Sequence, residues 1–327
     1  MTSSTPSSGS GESWQPVGEE ACALGESPFW HPVEQRLYYL DIPGRQLLRV
    51  DPQDPAGREA WDMPSEPGCM APVRGGGLIV ALRDGIYRAR DWGASLECLV
   101  RFSHDVATTR FNDGKCDSLG RFWAGTLYEP RDGRRGADLY CLDMRSGKPV
   151  ATLKAHNAVT ANGVAWSPDD RTLWWSDTPN HLIHAWDFER EAAVMRRHRV
   201  FHQFAAKPEG WTADAPDACV RYGGRPDGSA VDSVGIYHCA MFEGACINRF
   251  TADGRLVATL PVPAMCPTMP CFGGADLRTL FVTTARKGRS AAELARTPWA
   301  GRVLARRVEV PGLPVQFFDA GDGGALV

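Results

Sequence analysis

The chain has 327 residues, of which 43% are hydrophobic and 23% are charged, the composition of a folded globular protein rather than a disordered or fibrous one. Its 36 Lys and Arg residues nearly balance its 39 Asp and Glu residues, so it lacks the basic surplus typical of nucleic-acid-binding proteins. No run approaches the roughly 20 apolar residues of a membrane span. We therefore expect a protein without nucleic-acid or membrane partners.

Turn-forming residues are frequent, with 34 Gly and 24 Pro, and 11 Trp residues occur in short runs between them, which favours an all-β protein. Residues 1–13 are rich in Ser, Thr, Gly and Pro and lack the basic and apolar regions of a signal peptide. We expect a disordered tail over 1–15, a single domain over 16–327 and a cytoplasmic location. The ten scattered cysteines are then expected to be free thiols.

The first clear motif of the chain recurs in its middle. Counted from Glu26 or from Asn162, a Trp follows at +4, a Pro at +6, a Leu at +11 and an Asp at +15. A second pair begins at Asn112 and Asp227, where an Asp recurs at +5 and a Gly at +8. The Asp and Gly of this second pair predict tight hairpin turns.

Two weaker copies, around 75–82 and 273–283, bring the set to six. The strand cores that follow the turns begin near Leu37, Leu78, Phe122, Leu173, Ile236 and Leu280. Six turn-linked units of about 40–50 residues predict a six-bladed β-propeller with its active site at one end of the central channel. The alternative, a β-sandwich, offers no reason for a sixfold repeat.

The longest spacing between repeats contains an excess segment at 201–224. It predicts an insertion between two blades, next to the channel mouth, with too much Pro, Gly and Ala for a long helix. One interpretation is a lid or wall over the mouth, with Trp211 facing the channel. The other is a surface loop packed on its own blade.

The repeat places Glu26, Asn112, Asn162 and Asp227 at equivalent positions of four blades, where their side chains converge on the channel axis. Carboxylates confined together repel, and a divalent cation relieves this. Oxygen and amide donors favour Ca²⁺, Mg²⁺ or Mn²⁺ over a thiolate-bound zinc. Lys115 is interpreted as a salt-bridge partner of a neighbouring Asp, with a role as a base as the alternative.

Six motifs in chain order resemble the SMP-30/gluconolactonase family, and the resemblance covers about residues 20 to 318. They are Leu24-Gly-Glu-Ser-Pro-Phe-Trp30, Arg110-Phe-Asn-Asp-Gly-Lys-Cys-Asp117, Trp123-Ala-Gly-Thr126, Asn162-Gly-Val-Ala-Trp166, Arg225-Pro-Asp-Gly228 and Cys271-Phe-Gly-Gly274. The resemblance implies a six-bladed propeller that hydrolyses sugar lactones with one divalent metal ion.

Mapped residue by residue, the resemblance implies metal ligation by Glu26, Asn162 and Asp227 and substrate contacts from Arg110 and Asn112. Glu129 stands, with an offset match, where some relatives have a substrate-facing acid. The insertion at 201–224 departs from the family pattern, and in the lid interpretation its Trp211 would stack on the sugar ring.

The resulting hypothesis is a metal-dependent lactonase that opens aldono-1,4- or 1,5-lactones, such as gluconolactone or arabinolactone, to the aldonic acid. The metal ion, with Ca²⁺ first and Zn²⁺, Mg²⁺ or Mn²⁺ as alternatives, would polarise the lactone carbonyl, and Asp227 would deprotonate the attacking water. We expect a monomer or a small homo-oligomer. The competing hypotheses are a calcium-binding regulatory propeller without a dedicated enzymatic role, and a related hydrolase of a non-sugar ester or lactone.

Overall fold

Residues 13–158 and 160–321 are described in a computed structural model of the chain, with the side chain of residue 157 left out. These residues form six antiparallel four-stranded sheets, so the predicted six-bladed β-propeller is confirmed. Most of the predicted tail, residues 1–12, lies outside the described residues. Trp14 is buried, and its indole N–H donates to the Pro261 carbonyl oxygen at 2.7 Å.

Each sheet is one blade, whose strands are given from the channel outward. The first blade consists of β2 Gly25–His31, β3 Arg36–Asp41, β4 Gln46–Asp51 and β5 Asp54–Asp62. The second consists of β6 Cys69–Pro72, β7 Leu78–Ala81, β8 Gly85–Ala89 and β9 Glu97–Arg101. The third consists of β10 Thr109–Cys116, β11 Phe122–Tyr128, β12 Ala137–Asp143 and β13 Val150–Ala158.

The fourth and fifth blades are β14 Ala161–Trp166, β15 Thr172–Asp177, β16 Leu182–Glu189 and β17 Val194–Gln203; and β18 Arg225–Val231, β19 Tyr237–Phe242, β20 Cys246–Phe250 and β21 Leu256–Pro261. The sixth blade is β22 Pro267–Gly273, β23 Thr279–Thr284, β24 Leu304–Arg307 and the N-terminal β1 Gln15–Pro16. A 3₁₀ turn at Thr178–Asn180 and two short helices, α1 Ala218–Arg221 and α2 Ala291–Arg296, complete the elements.

The six innermost strands are buried nearly throughout, and each contacts its two neighbours, so they form a closed ring around the channel. The outermost strands, such as β5 and β17, are largely exposed. In the sixth blade the outermost strand comes from the other end of the chain, since Gln15 pairs with Ala305. This pairing joins the two ends of the ring without a covalent link.

The recurring aspartates cap the hairpins between first and second strands, which confirms their predicted turn role. Asp117 accepts hydrogen bonds from the Leu119 and Arg121 backbone N–H groups. Asp232 accepts them in the same way from Val234 and Ile236. The same local chemistry therefore fixes equivalent hairpins in different blades.

The C-terminal segment crosses one end of the channel, where the innermost strands finish. Its backbone N–H groups at Leu313, Phe318 and Asp319 donate to the carbonyl oxygens of Val231, Pro72 and Gly120 at 3.1, 2.8 and 2.9 Å. Above it lies a cavity of about 210 Å³. We call the opposite end, where the innermost strands begin, the open end of the channel.

All ten cysteines are free. Among the described residues, none of the helices has the length and apolar character needed to cross a membrane.

Candidate metal centre and active site

The four equivalent positions of the repeat lie near the starts of four innermost strands, at the open end of the channel. Glu26, Asn112, Asn162 and Asp227 are all buried there. Each strand is interrupted at this point by a register shift, between Glu26 and Phe29, Phe111 and Gly114, Asn162 and Ala165, and Pro226 and Ser229. A β-bulge breaks the alternation of side chains between the two faces of a strand, so these four residues are aimed differently from their neighbours.

The backbone just after two of these residues has the left-handed conformation. Ser27 has φ +49° and Gly163 has φ +61°. A Cβ on Gly163 would lie 2.5 Å from the Ser176 hydroxyl and 2.7 Å from the Asp227 carbonyl oxygen. The close approach of Asn162 and Asp227 on neighbouring blades therefore requires glycine at 163.

The two asparagines contact each other. The Asn112 Nδ2 donates to Asn162 Oδ1 and also to the Ala161 carbonyl oxygen at 3.2 Å. The Asn162 Nδ2 donates to the Thr178 hydroxyl at 2.8 Å. This network fixes the Asn162 amide and leaves its oxygen one further lone pair for another ligand.

Glu26 and Asp227 lie close enough for their charges to interact. Burial, and then the charges of Asp227 and Asp113, raise the pKa of Glu26 well above its usual range. Burial and the charge of Asp113 do the same to the pKa of Asp227, although Arg225 and the Gly228 N–H act against them. The site therefore concentrates carboxyl groups away from water, where their ionised forms are unfavourable without a neighbouring positive charge.

Asp113 is a third carboxylate of this region, which sequence reasoning did not single out. Its Oδ2 accepts a hydrogen bond from the Gly163 N–H at 2.6 Å, while its Oδ1 is buried without a partner. Burial raises its pKa, and the charge of Lys115 lowers it. Its place beside Asn112 in the motif was visible, but strand alternation would point it away from the site.

Lys115 lies further along the same strand, half-buried near Asp113. Its ammonium donates to the Ser229 carbonyl oxygen on β18. Burial lowers its pKa, and the negative charge of Asp113 counteracts this shift. The structure therefore places a positive group near Asp113, although the hydrogen bond goes to a carbonyl.

Glu26, Asn162 and Asp227 fit a hard cation by their chemistry. Two buried carboxylates that repel each other and an oriented amide oxygen are all oxygen donors, and no sulfur donor belongs to the set. No group of three His, Cys, Asp or Glu suited to a metal ion occurs among the described residues. The third donor here is an amide, a type outside those four.

The predicted substrate contacts begin beside this centre. The Arg110 Nη1 donates to the Asn112 Oδ1 at 3.0 Å and to the Phe111 carbonyl oxygen at 2.9 Å. Its Nε lies 3.5 Å from the Glu129 carboxylate, which also accepts hydrogen bonds from Arg83 at 3.0 Å. The structure thus brings Arg110, Asn112 and Glu129 together at the open end of the channel.

The inserted segment spans 204–224, because β17 continues to Gln203, three residues beyond the expected start. It contains only the short helix α1 and lies at the open end, where the Phe204 N–H donates to the His181 carbonyl oxygen. Trp211 is buried inside it, and its indole N–H donates to the Ala218 carbonyl oxygen at 2.9 Å. Its ring packs edge-on against Tyr222. Direct stacking of Trp211 on a sugar stays a prediction.

Comparison with known proteins agrees with these features. Residues 24–286 match the family model described as "SMP-30/Gluconolactonase/LRE-like region". A 6-deoxy-6-sulfogluconolactonase of Pseudomonas putida is 39% identical over 302 residues, covering 92% of this chain and 97% of the relative. A pentonolactonase of Haloferax volcanii is 33% identical and covers 82% of this chain and 84% of its own.

The fold has close neighbours among solved structures. A calcium-binding protein, regucalcin, from Agrobacterium tumefaciens superposes with a TM-score of 0.83 at 21% identity, covering 94% of this chain and 97% of that one. At this identity the likeness shows the shared propeller fold. From the family match over most of its length, the chain belongs to the SMP-30/gluconolactonase/LRE-like family.

Proposed function

We propose that the protein hydrolyses sugar-acid lactones to the open-chain aldonic acids, with a divalent cation held at the open end of the channel. Family membership and the two lactonase relatives, 39% and 33% identical, support a lactone-hydrolysing enzyme. The observation that carries the proposal is the buried pair of carboxylates, Glu26 and Asp227, beside the oriented amide of Asn162.

Glu26, Asn162 and Asp227 would hold the cation, for which Ca²⁺ is our first choice because all three donors are hard oxygens. When bound, the cation supplies a Lewis acid that polarises the lactone carbonyl. Its charge also favours the ionised carboxylates, since burial and the neighbouring negative charges raise the pKa of both Glu26 and Asp227: those of Asp227 and Asp113 act on Glu26, and that of Asp113 acts on Asp227.

Asp227 would act as the general base. Its carboxylate accepts a proton from the water that attacks the lactone carbonyl, and the proton then passes to the ring oxygen as the ester C–O bond breaks. That oxygen becomes a hydroxyl of the aldonic acid. With the cation bound, this carboxylate stays ionised and is therefore able to accept a proton, and a positioned general base contributes about 10²–10⁴-fold to a rate.

Arg110 and Asn112 would orient the sugar. The guanidinium has five N–H donors in a planar fork, and its Nη1 already holds the Asn112 side chain. The remaining donors are available to paired hydroxyl oxygens, and Glu129, 3.5 Å from the Nε, can accept a hydrogen bond from a hydroxyl. Because Arg110 is buried, these hydrogen bonds form with little competition from water.

The test is hydrolysis of a panel of aldono-1,4- and 1,5-lactones before and after treatment with a chelator, followed by restoration with Ca²⁺, Mg²⁺, Mn²⁺ or Zn²⁺. We expect the chelated protein to lose turnover and one of these ions to restore it. Full activity in the chelated protein would contradict the proposed mechanism.

Arg110→Ala separates an enzyme from a regulatory cation-binding propeller. In the enzyme, kcat/KM falls while cation affinity, measured by calorimetry, is retained. The control is Arg307→Ala, which removes an exposed arginine at the end of β24. Its partner, Asp276, lies in the hairpin between β22 and β23. A regulatory protein without a dedicated activity would show no difference between the two variants in any lactone assay.

A further inference from the structure

A group of charged side chains lies at the open end of the channel, beside the candidate metal centre. We call it the mouth cluster, and it consists of Lys207, Arg225, Glu243, Arg289 and Glu293. Lys207 comes from the inserted segment, Arg225 begins β18, and Glu243 directly follows β19. Arg289 lies just before α2, and Glu293 lies in the first turn of this helix.

Glu243 is the centre of the mouth cluster. Its carboxylate accepts hydrogen bonds from the Lys207 Nζ at 3.0 and 2.9 Å and from the Arg289 Nη1 at 3.1 Å, and it lies 3.5 Å from the Arg225 Nη1. Burial alone raises the pKa of Glu243, but the hydrogen bond from Lys207 and the charge of Arg225 outweigh it, and its pKa lies below the usual range. Arg289 is itself paired with Glu293 at 2.6 Å.

The exposed part of the mouth cluster is positive. The carboxylates of Glu243 and Glu293 are only 6% and 2% exposed, whereas the side chains of Lys207 and Arg225 are 35% and 30% exposed. Three cations face two carboxylates, which leaves one positive charge in excess. The buried carboxylates therefore hold Lys207 and Arg225 in place from below, while the solvent side presents N–H donors.

Aromatic rings fix both exposed cations. The Lys207 ammonium lies 4.5 Å from the centre of the buried Trp211 ring and 6.0 Å from that of Tyr222. The Arg225 guanidinium lies over Phe242 at 5.0 Å. Such cation–π contacts reduce the mobility of side chains that would otherwise be long and flexible. In this arrangement Trp211 supports a cation at the mouth.

The mouth cluster adjoins the reacting centre. Arg225 and Asp227 are two residues apart on β18, so their Cα atoms are about 7 Å apart. The positive charge of Arg225 is near enough to lower the pKa of Asp227, against the effect of burial. A hexonolactone whose carbonyl meets Asp227 can therefore extend its far end toward Arg225 and Lys207.

The corresponding arrangement in the third blade, two blades away from that of Arg225, has no excess charge. Arg110 likewise precedes a site residue by two positions and lies 3.5 Å from Glu129, which directly follows the second strand of its blade. There, however, the Arg83 guanidinium also takes part and lies 3.1 Å from the Glu66 carboxylate. Two cations, Arg83 and Arg110, therefore face two carboxylates, Glu66 and Glu129. The inserted segment alone, through Lys207, makes the mouth cluster positive.

We propose that Lys207 and Arg225 bind a tetrahedral oxyanion, a sulfonate or a phosphate, on the end of the sugar lactone remote from the carbonyl. This inference rests on the proposed lactonase function and adds to it the class of substrate. The anionic group accepts hydrogen bonds from the third N–H of Lys207 and from the guanidinium fork of Arg225, at the position where the chain has a positive excess.

The experiment compares three gluconolactones that differ only at carbon 6, which carries a hydroxyl, a sulfonate or a phosphate. The wild-type protein, loaded with the cation that supports its activity, should show a higher kcat/KM for an anionic lactone than for the neutral one. In Lys207→Gln the anionic-to-neutral ratio should fall about 10- to 100-fold, which corresponds to one charge-assisted hydrogen bond. Lys207→Arg should retain the ratio, and Arg225→Gln, a second independent variant, should lower it.

Lys154→Gln is the matched control, because this lysine also lies over a tryptophan ring, Trp123, at 5.8 Å, but on the outermost strand of its blade. It should leave the ratio unchanged. The preference in the wild type should weaken as ionic strength rises, since partly exposed charges are screened. The better of the sulfonate and phosphate lactones identifies the anion.

The outcomes separate the two proposals. Hydrolysis of the neutral and anionic lactones with equal kcat/KM, or a loss in Lys207→Gln that is equal for both, would overturn the anion site and leave the lactonase function standing. No hydrolysis of any lactone with any of the four divalent cations would overturn both.

Discussion

Replacing Asp227 by asparagine should stabilise the chelated protein and at the same time abolish its response to a cation. The substitution keeps the shape of the side chain and removes its charge. Burial and the neighbouring Asp113 raise the pKa of Asp227, so at that site the folded protein binds protons more tightly than the unfolded chain does. Stability contributed by this group therefore falls as the pH rises from the usual aspartate pKa toward the raised one. Near neutral pH, asparagine avoids that cost.

The magnitude follows from the size of the domain. For every 1 kcal/mol relieved, we expect a rise in Tm of roughly 1.5 °C in the presence of chelator, because the entropy of unfolding grows with chain length. In the wild type, a cation at 100 times its Kd should add about 2.7 kcal/mol. Asp227→Asn should lose this gain, and kcat should fall by about 10²–10⁴-fold because the proposed base is gone. Thermal unfolding with and without Ca²⁺, together with lactone hydrolysis, measures all three effects.

Asp232→Asn is the matched control in the same blade. Burial raises the pKa of Asp232, but the hydrogen bonds from His238, at 3.0 Å, and from the Ile236 N–H, at 2.9 Å, outweigh it and lower the pKa. Its charge stabilises the fold above the unfolded pKa, so this variant should lower Tm while keeping the cation response. A fall in the Tm of chelated Asp227→Asn as large as that of Asp232→Asn would refute the reasoning, as would unchanged cation binding and kcat.

Two further predictions concern the same centre. The cation-induced rise in Tm should shrink as the pH falls, because Glu26 and Asp227, whose pKa values are raised, take up protons that compete with the cation at a higher pH than ordinary carboxyl groups do. A rise independent of pH in thermal scans would contradict this. Gly163→Ala should destabilise the protein by about 1–3 kcal/mol and weaken cation binding, because φ is +61° and the new Cβ meets the Asp227 carbonyl oxygen. The control in urea unfolding is Gly147→Ala, because Gly147 has φ +80° and open space around the added Cβ, so that it isolates the backbone cost. An equal loss of stability in both variants would exclude the proposed steric contact.

The sequence by itself determined the six blades and the positions that face the axis. The second strands begin at Arg36, Leu78, Phe122, Thr172, Tyr237 and Thr279, each within one residue of its predicted start. This succeeded because the signals are local: an aspartate caps its own hairpin, and an aromatic strand follows it. The resemblance to a family added Arg110, for which the repeat alone gave no signal.

Only the tertiary structure determined which side chains point into the site, because bulges break the regular alternation along the strands. The bulges at Glu26, Asn112, Asn162 and Asp227 shift the register, and no local residue pattern specifies how the side chains are aimed after such a shift. Asp113 therefore lies at the site, although the repeat predicts only its neighbour Asn112.

Partners distant in the chain were equally beyond the sequence. Lys207 meets Glu243, 36 residues away, and Arg289 meets the same carboxylate across 46 residues. Many other acidic and basic side chains of the chain could form equivalent salt bridges. Only the closed ring of blades determines which of them meet. Trp211 shows the same limit, because an aromatic ring in an inserted segment suits a sugar and a buried core equally well, and the packing around it determines which surface it covers.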